Sequence, residues 1–490
     1  MENFFQFKKY GTNIGTEVVA GITTFVTMAY IIAVNPQILS LTGMDFNAVV
    51  VATIICSVIG TLFMGLFANV PYALAPGMGL NAFFTFTVCF AMGFTWQQGL
   101  GLVLITGVVN LIITLSGMRK KIISAMPTTL RAAISGGIGM FLAYIGIKDG
   151  GLLKFTADAP FLAVLSNAPG APVTSADTVG TVVASSAAVP AFVNFGNLSV
   201  ILTLLGLIII IILLVKKVTG AIIIGILAIT VINVIIQLIN GNPPDLSYDL
   251  GATVSSIQHT FLHLDLGGLL IDPKTNGFDI ARLMLAITAA IGFCLTDIFD
   301  CIGTLIGTGR KTGIFDEEDE KLFSGHNQGL KSRLDRAFFA DLTATITGSI
   351  FGTSNTTTYV ESAAGIAAGG RTGFTSVVTA IMFALCIFIA PLLRLIPASA
   401  TAPALIVVGA MMMSAFADIK WGDFDVAVPA FLCSVIMPLS YGITNGIAWG
   451  FISYAIVHVT KGKGKEVSAI LYVVSVLFIL NFVLQAVYHL

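Results

Sequence analysis

The sequence predicts an all-α polytopic membrane protein of about 14 transmembrane segments, arranged as a 7+7 inverted repeat. Three observations carry this. The chain of 490 residues is 56% hydrophobic and only 10% charged, with a mean hydropathy of +0.95, whereas soluble domains are about 25% charged. Its apolar runs are continuous and near the length of about 20 residues that a helix needs to span a bilayer. They do not alternate, which excludes a barrel. Finally, two runs in corresponding positions of the two halves are interrupted by Pro, Gly and Thr, as in transporters built from inverted repeats.

Taken in order, hydropathy places spans near 17–35, 48–68, 80–93, 99–117, 128–147, 198–215, 219–239, 282–306, 337–351, 358–368, 374–393, 402–417, 425–440 and 444–459. The spans after Pro76 and after Asn355 are too short to cross alone. A further apolar run, 467–488, reads as an extra span or as a helix lying at the interface. The N-terminus is polar, carries Lys8 and Lys9, and lacks a cleavable signal pattern, so the first run reads as a retained helix.

Basic residues set the expected orientation. Lys8, Lys9, Arg119–Lys121, Lys216, Lys217, Arg310, Lys311, Lys331, Arg333, Arg336, Arg371, Lys420, Lys461, Lys463 and Lys465 all fall on one side when 14 spans are threaded. That side is expected to be the cytoplasm of a multi-pass cell-membrane protein with a cytoplasmic N-terminus. Arg394 is the exception and is expected to snorkel at the opposite interface. Loops 148–197 and 241–281 then face outside. The acidic run Asp316–Glu320 reads as a solvated cytoplasmic linker.

The repeat is visible in short stretches. Gly60-Thr-Leu-Phe-Met-Gly65 precedes a break at Pro71–Gly79, and Gly348-Ser-Ile-Phe-Gly352 precedes a break at Thr353–Thr358. In the first break Pro71 and Pro76 remove backbone donors, while Gly77 and Gly79 ease non-helical angles. In the second, the β-branched Thr356, Thr357 and Thr358 start a helix poorly. Non-helical backbone at membrane depth is tolerated only inside protein or along a cavity. The two segments are therefore expected to pair as short strands, leaving two helix N-termini with free N–H groups near the midplane.

Carboxylates stand where hydrocarbon is expected. Glu361 follows the second break, and Asp297 and Asp300 lie three apart within one span. An ionised side chain at the bilayer centre costs about 2.5–3.5 kcal/mol on insertion scales, so it is kept for a reason. Two readings of Glu361 stand side by side. Thr358-Tyr-Val-Glu361 fits a capping box, in which the acid caps its own helix. The acid also faces whatever occupies the cavity. Asn81 is either a polar bridge between helices or part of the same site. Asp341 reads as a first-turn helix charge.

Other classes lack support. Net charge is −1, so no nucleic-acid partner is expected. The six cysteines fall in apolar segments without metal-ligand spacing. No P-loop, zinc-protease or nucleophile-elbow motif occurs, and neither a metal nor another cofactor is expected. The glycines of Ser135–Gly139 read as helix-packing contacts, not as a phosphate loop. An intramembrane aspartyl protease would draw its acids from separate segments, but Asp297 and Asp300 share one turn.

At these residues a resemblance becomes specific. Gly15-Thr-Glu-Val-Val-Ala-Gly-Ile-Thr-Thr-Phe25, Asn35-Pro-Gln37, Ala75-Pro-Gly-Met-Gly-Leu-Asn-Ala-Phe83, Asp297-Ile-Phe-Asp-Cys-Ile-Gly-Thr304 and Gly352-Thr-Ser-Asn-Thr-Thr-Thr-Tyr-Val-Glu-Ser362 resemble the AzgA-like purine permeases, a branch of the nucleobase–ascorbate transporters. The resemblance covers nearly the whole chain. It implies a core domain from 14–118 and 282–392, a gate domain from 119–281 and 393–465, and a separate C-terminal hydrophobic helix over 466–490. It implies import of guanine or hypoxanthine, or of adenine, by proton symport through elevator or rocking movements. The site residues it points to are Glu361, Asp297 and Asn81 for the substrate, joined by Thr358, Thr357, Phe293 and Gly79, with Asp297, Asp300 and Glu361 for proton coupling. The chemistry suits a purine: carboxylates accept its N–H edges, strand N–H groups donate to its ring nitrogens, and Phe83, Phe84 or Phe293 cover its faces. A uracil, xanthine or anion carrier on the same fold is the alternative. The expected partners are the nucleobase, protons and the lipid bilayer, with a homodimer as an open assembly.

Overall fold

The computed structural model describes residues 2–116, 126–157, 188–193, 195–244, 248–271, 277–312, 314, 315, 330 and 332–488. The basic group Arg119–Lys121, Lys331, the acidic run 316–320 and the middle of loop 148–197 lie outside the described residues.

The chain is mostly helical. A short helix, α1 (Glu2–Phe5), precedes α2 (Ile14–Met28) and α3 (Ile31–Ser40), and then α4 (Phe46–Phe63) runs into a π-helical turn, Met64–Ala68. Asn13 and Asp45 start α2 and α4 by accepting the N–H groups of Thr16 and Ala48. Strand β1 (Leu74–Pro76) leads into α5 (Met78–Ala82) and a second π-helix, Phe83–Ala91. Helices α6 (Trp96–Leu115) and α7 (Thr128–Asp149) follow. A hairpin of β2 (Leu153–Ala157) and β3 (Ala188–Phe192) then precedes α8 (Leu198–Val215), α9 (Ala221–Ile239) and a short α10 (Leu250–Ser255). The second half holds α11 (Ile280–Thr312), α12 (Arg333–Phe351), β4 (Thr356–Thr358), α13 (Ser362–Ala367), α14 (Gly373–Leu385) with a 3₁₀ extension to Leu395, α15 (Ala398–Met412), α16 (Phe424–Leu439), α17 (Ile443–Thr460) and α18 (Ala469–Tyr488).

Among the described residues nine helices are long and apolar enough to cross a membrane, and Met78–Ala91, Phe424–Leu439 and Ala469–Val483 are shorter apolar helices. By that measure the expected count of about 14 is not reached. Part of the reason lies in composition: α12 carries Arg333, Asp335, Arg336 and Asp341. The helix expected over 358–368 is a six-residue stub, α13.

The two breaks do pair. Strands β1 and β4 run antiparallel, with Leu74 opposite Thr358, Ala75 opposite Thr357 and Pro76 opposite Thr356. A left-handed residue ends each preceding helix: Asn69 (φ 52°) after the first and Gly352 (φ 97°) after α12. A side chain at Gly352 would also collide with Thr260. The hairpin β2–β3 was not foreseen, because most of its connecting segment reads as an undifferentiated loop.

Glycine contacts hold α7 in place, as its Gly-rich run suggested. A Cβ at Gly139 would lie 2.5 Å from the Gly409 carbonyl oxygen, and one at Gly137 would lie 2.8 Å from the Met437 sulfur. The N-terminal segment is strapped to one end of the molecule. Phe5 and Phe7 are buried against Phe374 at ring distances of 5.4 and 5.7 Å, and Arg333 lies 4.3 Å from the Tyr10 ring. Helix α18 packs along α17 and α11, with Phe478 edge-on to Phe451 at 6.3 Å.

Candidate functional site

The site is built around the β1–β4 ribbon. A three-residue strand leaves many backbone groups without ladder partners, and side chains supply them. The Thr61 hydroxyl exchanges hydrogen bonds with the backbone of Leu74, at 2.9 Å from its N–H and 3.1 Å to its carbonyl. The Asp341 Oδ1 accepts from the Thr358 N–H (2.7 Å), the Thr358 hydroxyl (2.7 Å) and the Thr357 hydroxyl (3.3 Å). The Tyr359 hydroxyl donates to the Pro76 carbonyl at 2.6 Å, and the Gly77 N–H donates to the Asn355 carbonyl at 2.9 Å. Three donors converging on this one oxygen anchor the strand.

Two expectations are corrected here. Asp341 does not sit in the first turn of its helix. It lies in the middle of α12, fully buried, and fastens β4. Nor does Thr358-Tyr-Val-Glu361 form a capping box. The Thr358 hydroxyl donates to Asp341, and Glu361 occupies the N-cap position of α13 without a side-chain cap bond. The Glu361 Oε1 instead accepts from the Tyr30 hydroxyl at 2.6 Å, at the break between α2 and α3.

Asp300 on α11 is half-buried, as is Glu361, and it lies within electrostatic reach of Glu361 and Asp341. Asp297, one turn earlier, is fully buried, and its Oδ2 accepts from the Asn110 amide on α6 at 3.1 Å. Asp300 and Glu361 thus share one polar centre beside the ribbon, with Tyr30, Tyr359 and Asp341 around them. Cys301 on α11 approaches the Thr358 hydroxyl at 3.8 Å and closes the same corner.

The first break contributes less exposed groups. Asn81 is buried on α5, its Oδ1 accepts from the Ser354 hydroxyl, and among the described residues its Nδ2 has no hydrogen-bond partner. Neither the Oδ1 nor the Nδ2 of the neighbouring, buried Asn355 has a partner among the described residues. Gly79 brings α5 against α7: a Cβ there would lie 2.6 Å from Ile138. Phe293 meets Phe83 edge-on at 4.5 Å, and Phe84 fills the space beside Gly99 of α6. These three rings are fully buried.

Sequence reasoning missed Tyr30 and Glu17 and misplaced Asp341. Tyr30 and Asp341 touch the site itself. Glu17 acts at a distance: buried on α2, it accepts from the N–H groups of Arg371 (2.9 Å) and Thr375 (3.1 Å) and from the hydroxyls of Thr372 (2.9 Å) and Thr375 (2.6 Å). It therefore caps α14 from another helix and ties down the turn between α13 and α14. The signal for Glu17 was its charge inside an apolar run.

A family model described as Permease family matches residues 15–183 and 174–449 of this chain. Among similar proteins, the adenine permease AdeP of Escherichia coli is 36% identical over 99% of this chain and 96% of its own. The guanine/hypoxanthine permease PbuG of Bacillus subtilis is 37% identical over 99% of each. The transmembrane domain of the cyanobacterium bicarbonate transporter BicA shares the fold, with a TM-score of 0.56 and 16% identity over 88% of this chain and 97% of that one. With a polar centre buried among apolar helices, and with matches spanning nearly its full length, the chain belongs to the permease family and is a multi-pass membrane transporter, not an enzyme.

Proposed function

We propose that this transporter imports purine nucleobases together with protons, with guanine and hypoxanthine as first substrates and adenine as a further one. The observation that carries the reading is the pair of half-buried carboxylates, Glu361 and Asp300, beside a ribbon of short strands. Glu361, held by Tyr30, accepts one N–H edge of the base. Backbone groups around Gly77–Gly79, and the Thr357–Thr358 strand that Asp341 steadies, line the opposite edge. Asn81 and Asn355, buried with unpartnered amide groups, supply further donors and acceptors. Phe293 covers a ring face after separating from Phe83. Asp300 and Asp297 carry the coupled proton, since a carboxylate at this depth is cheaper protonated. The names of AdeP and PbuG support the substrate class.

Movement follows the two-part division expected from sequence, with a core of 14–118 and 282–392 sliding or rocking against a gate of 119–281 and 393–465, as an inverted repeat of seven plus seven spans. The antiparallel β1–β4 pair and the left-handed ends at Asn69 and Gly352 favour such a repeat. The BicA likeness extends to fold only; a site of carboxylates repels an anion. Uptake of radiolabelled hypoxanthine, guanine and adenine in cells lacking their own purine permeases tests the substrate class. Accumulation is expected, with uracil, xanthine and sulfate competing weakly. A protonophore is expected to abolish accumulation, and full uptake in its presence would sink the coupling.

A further inference from the structure

We propose that Lys148 and Tyr441 form a latch that holds the Lys148 end of α7 shut against the Phe83–Ala91 helix, and that this latch lets go of Phe86 whenever the site is exposed at that end. The inference rests on the core and gate division just proposed. Lys148 lies in the last turn of α7, where a cation suits the helix end. Its ammonium donates to the Tyr441 hydroxyl at 2.8 Å and lies 4.9 Å from the Tyr441 ring and 5.7 Å from the Phe86 ring. Asp149 stands 3.9 Å from the same ammonium. Phe86 belongs to the proposed core, whereas Lys148 and Tyr441 belong to the two parts of the proposed gate. One cation therefore clips Tyr441 and its own helix, both on the gate side, to Phe86 on the core side, and it is the contact with Phe86 that must part for that end to open.

The surroundings agree. Tyr441 packs edge-on against Phe86 (5.2 Å), Phe141 (5.6 Å) and Tyr144 (6.1 Å). The Ile443 N–H donates to the Thr87 hydroxyl at 3.2 Å, a second link across the same boundary. Both partners are held in uncommon backbone. Phe86 and Thr87 sit in a π-helix, a form that recurs at functional positions. Tyr441 has φ 53°, in the left-handed region that glycine usually fills after a helix. A bulky residue kept there is held by what it touches. The Lys148 side chain is 39% exposed, so water reaches the latch and can solvate the ammonium once it is released.

Cys89, buried one turn beyond Phe86, reports the opening. In a chain retaining Cys89 as its only thiol, reconstituted in nanodiscs without substrate, the labelling rate by a membrane-impermeant maleimide is measured. Lys148→Met keeps the aliphatic stem and removes the charge, and is expected to speed labelling about fivefold, the population shift that loss of one partly solvated cation–π contact gives. Lys148→Arg is expected to restore the slow rate. Tyr441→Phe, which keeps the ring and is the gentler change, is expected to fall between. Equal rates in wild type, Lys148→Met and Tyr441→Phe would overturn the latch. Because labelling needs no substrate, it separates the two readings. Latch-dependent labelling without purine uptake removes the substrate class alone, and purine uptake with unchanged labelling removes the latch alone.

Discussion

Glu361 and Asp341 flank strand β4 and are engaged by different partners, so their loss is expected to fail differently. Glu361 keeps solvent contact and holds one hydroxyl, that of Tyr30. Glu361→Gln preserves size and is expected to abolish purine uptake while membrane abundance stays at the wild-type level; retained uptake would leave Glu361 a purely local role. Tyr30→Phe removes the donor that aims the carboxylate. Hydrogen bonds to charged groups contribute about 1.5–3 kcal/mol, so uptake efficiency is expected to fall at least about tenfold, read as the ratio of maximal rate to half-saturation. Asp341→Asn, by contrast, weakens the anchor of β4. A lower melting temperature in detergent is expected, corresponding to about 1–3 kcal/mol, with uptake falling in step with folded protein. The Thr358–Glu361 spacing pointed to a capping box because that pattern is local. A buried carboxylate 17 residues back outcompeted it, since Thr358 donates through both its N–H and its hydroxyl to Asp341. No reading of adjacent residues foresees that.

At the scale of elements, the breaks were legible and their fastenings were not. Pro71, Pro76, Gly77 and the three threonines made helix unfavourable, and pairing was the one way to satisfy backbone at that depth. The structure shows that pairing in a definite register. The run over 358–368, expected to be too short to cross alone, is shorter still as the stub α13, which ends before the left-handed Gly369 where it packs on α2. Glu17 belongs to this scale. It joins α2 to the start of α14 through contacts more than 350 residues apart in sequence, a distance that hides it from any local pattern. Glu17→Ala leaves the N–H groups of Arg371 and Thr375 and the hydroxyls of Thr372 and Thr375 without their acceptor. A loss of about 3 kcal/mol or more is expected from removing so many charge-assisted bonds. It should appear as reduced membrane abundance, with part of the loss recovered in Glu17→Gln. Unchanged abundance in Glu17→Ala would show that water replaces the carboxylate.

Over the whole molecule, composition alone fixed the class, because a chain with 10% charge cannot cover a water-soluble surface. The number of crossings was less legible, since α12 buys its polar residues a place through contacts with other segments: Arg333 bonds the carbonyls of Ile314 and Asn69 and stacks on Tyr10. The N-terminal strap supplies the Tyr10 ring of that set. Deletion of residues 2–12 is expected to lower the melting temperature and to leave substrate selectivity unchanged, since Phe5 and Phe7 bury against Phe374, away from the ribbon.

The β1–β4 ribbon also sets a timetable for biogenesis. The Tyr359 hydroxyl and the Pro76 carbonyl it bonds are 283 residues apart. At synthesis rates of about 5–20 residues per second, β1 waits roughly a quarter of a minute to a minute for its partner. During that interval the nascent first half holds an open strand edge inside or beside the membrane, the kind of edge that invites wrong pairing. The protein is complete only when its two halves have found each other, so slowing translation between residues 100 and 350 should raise the fraction captured by membrane quality control.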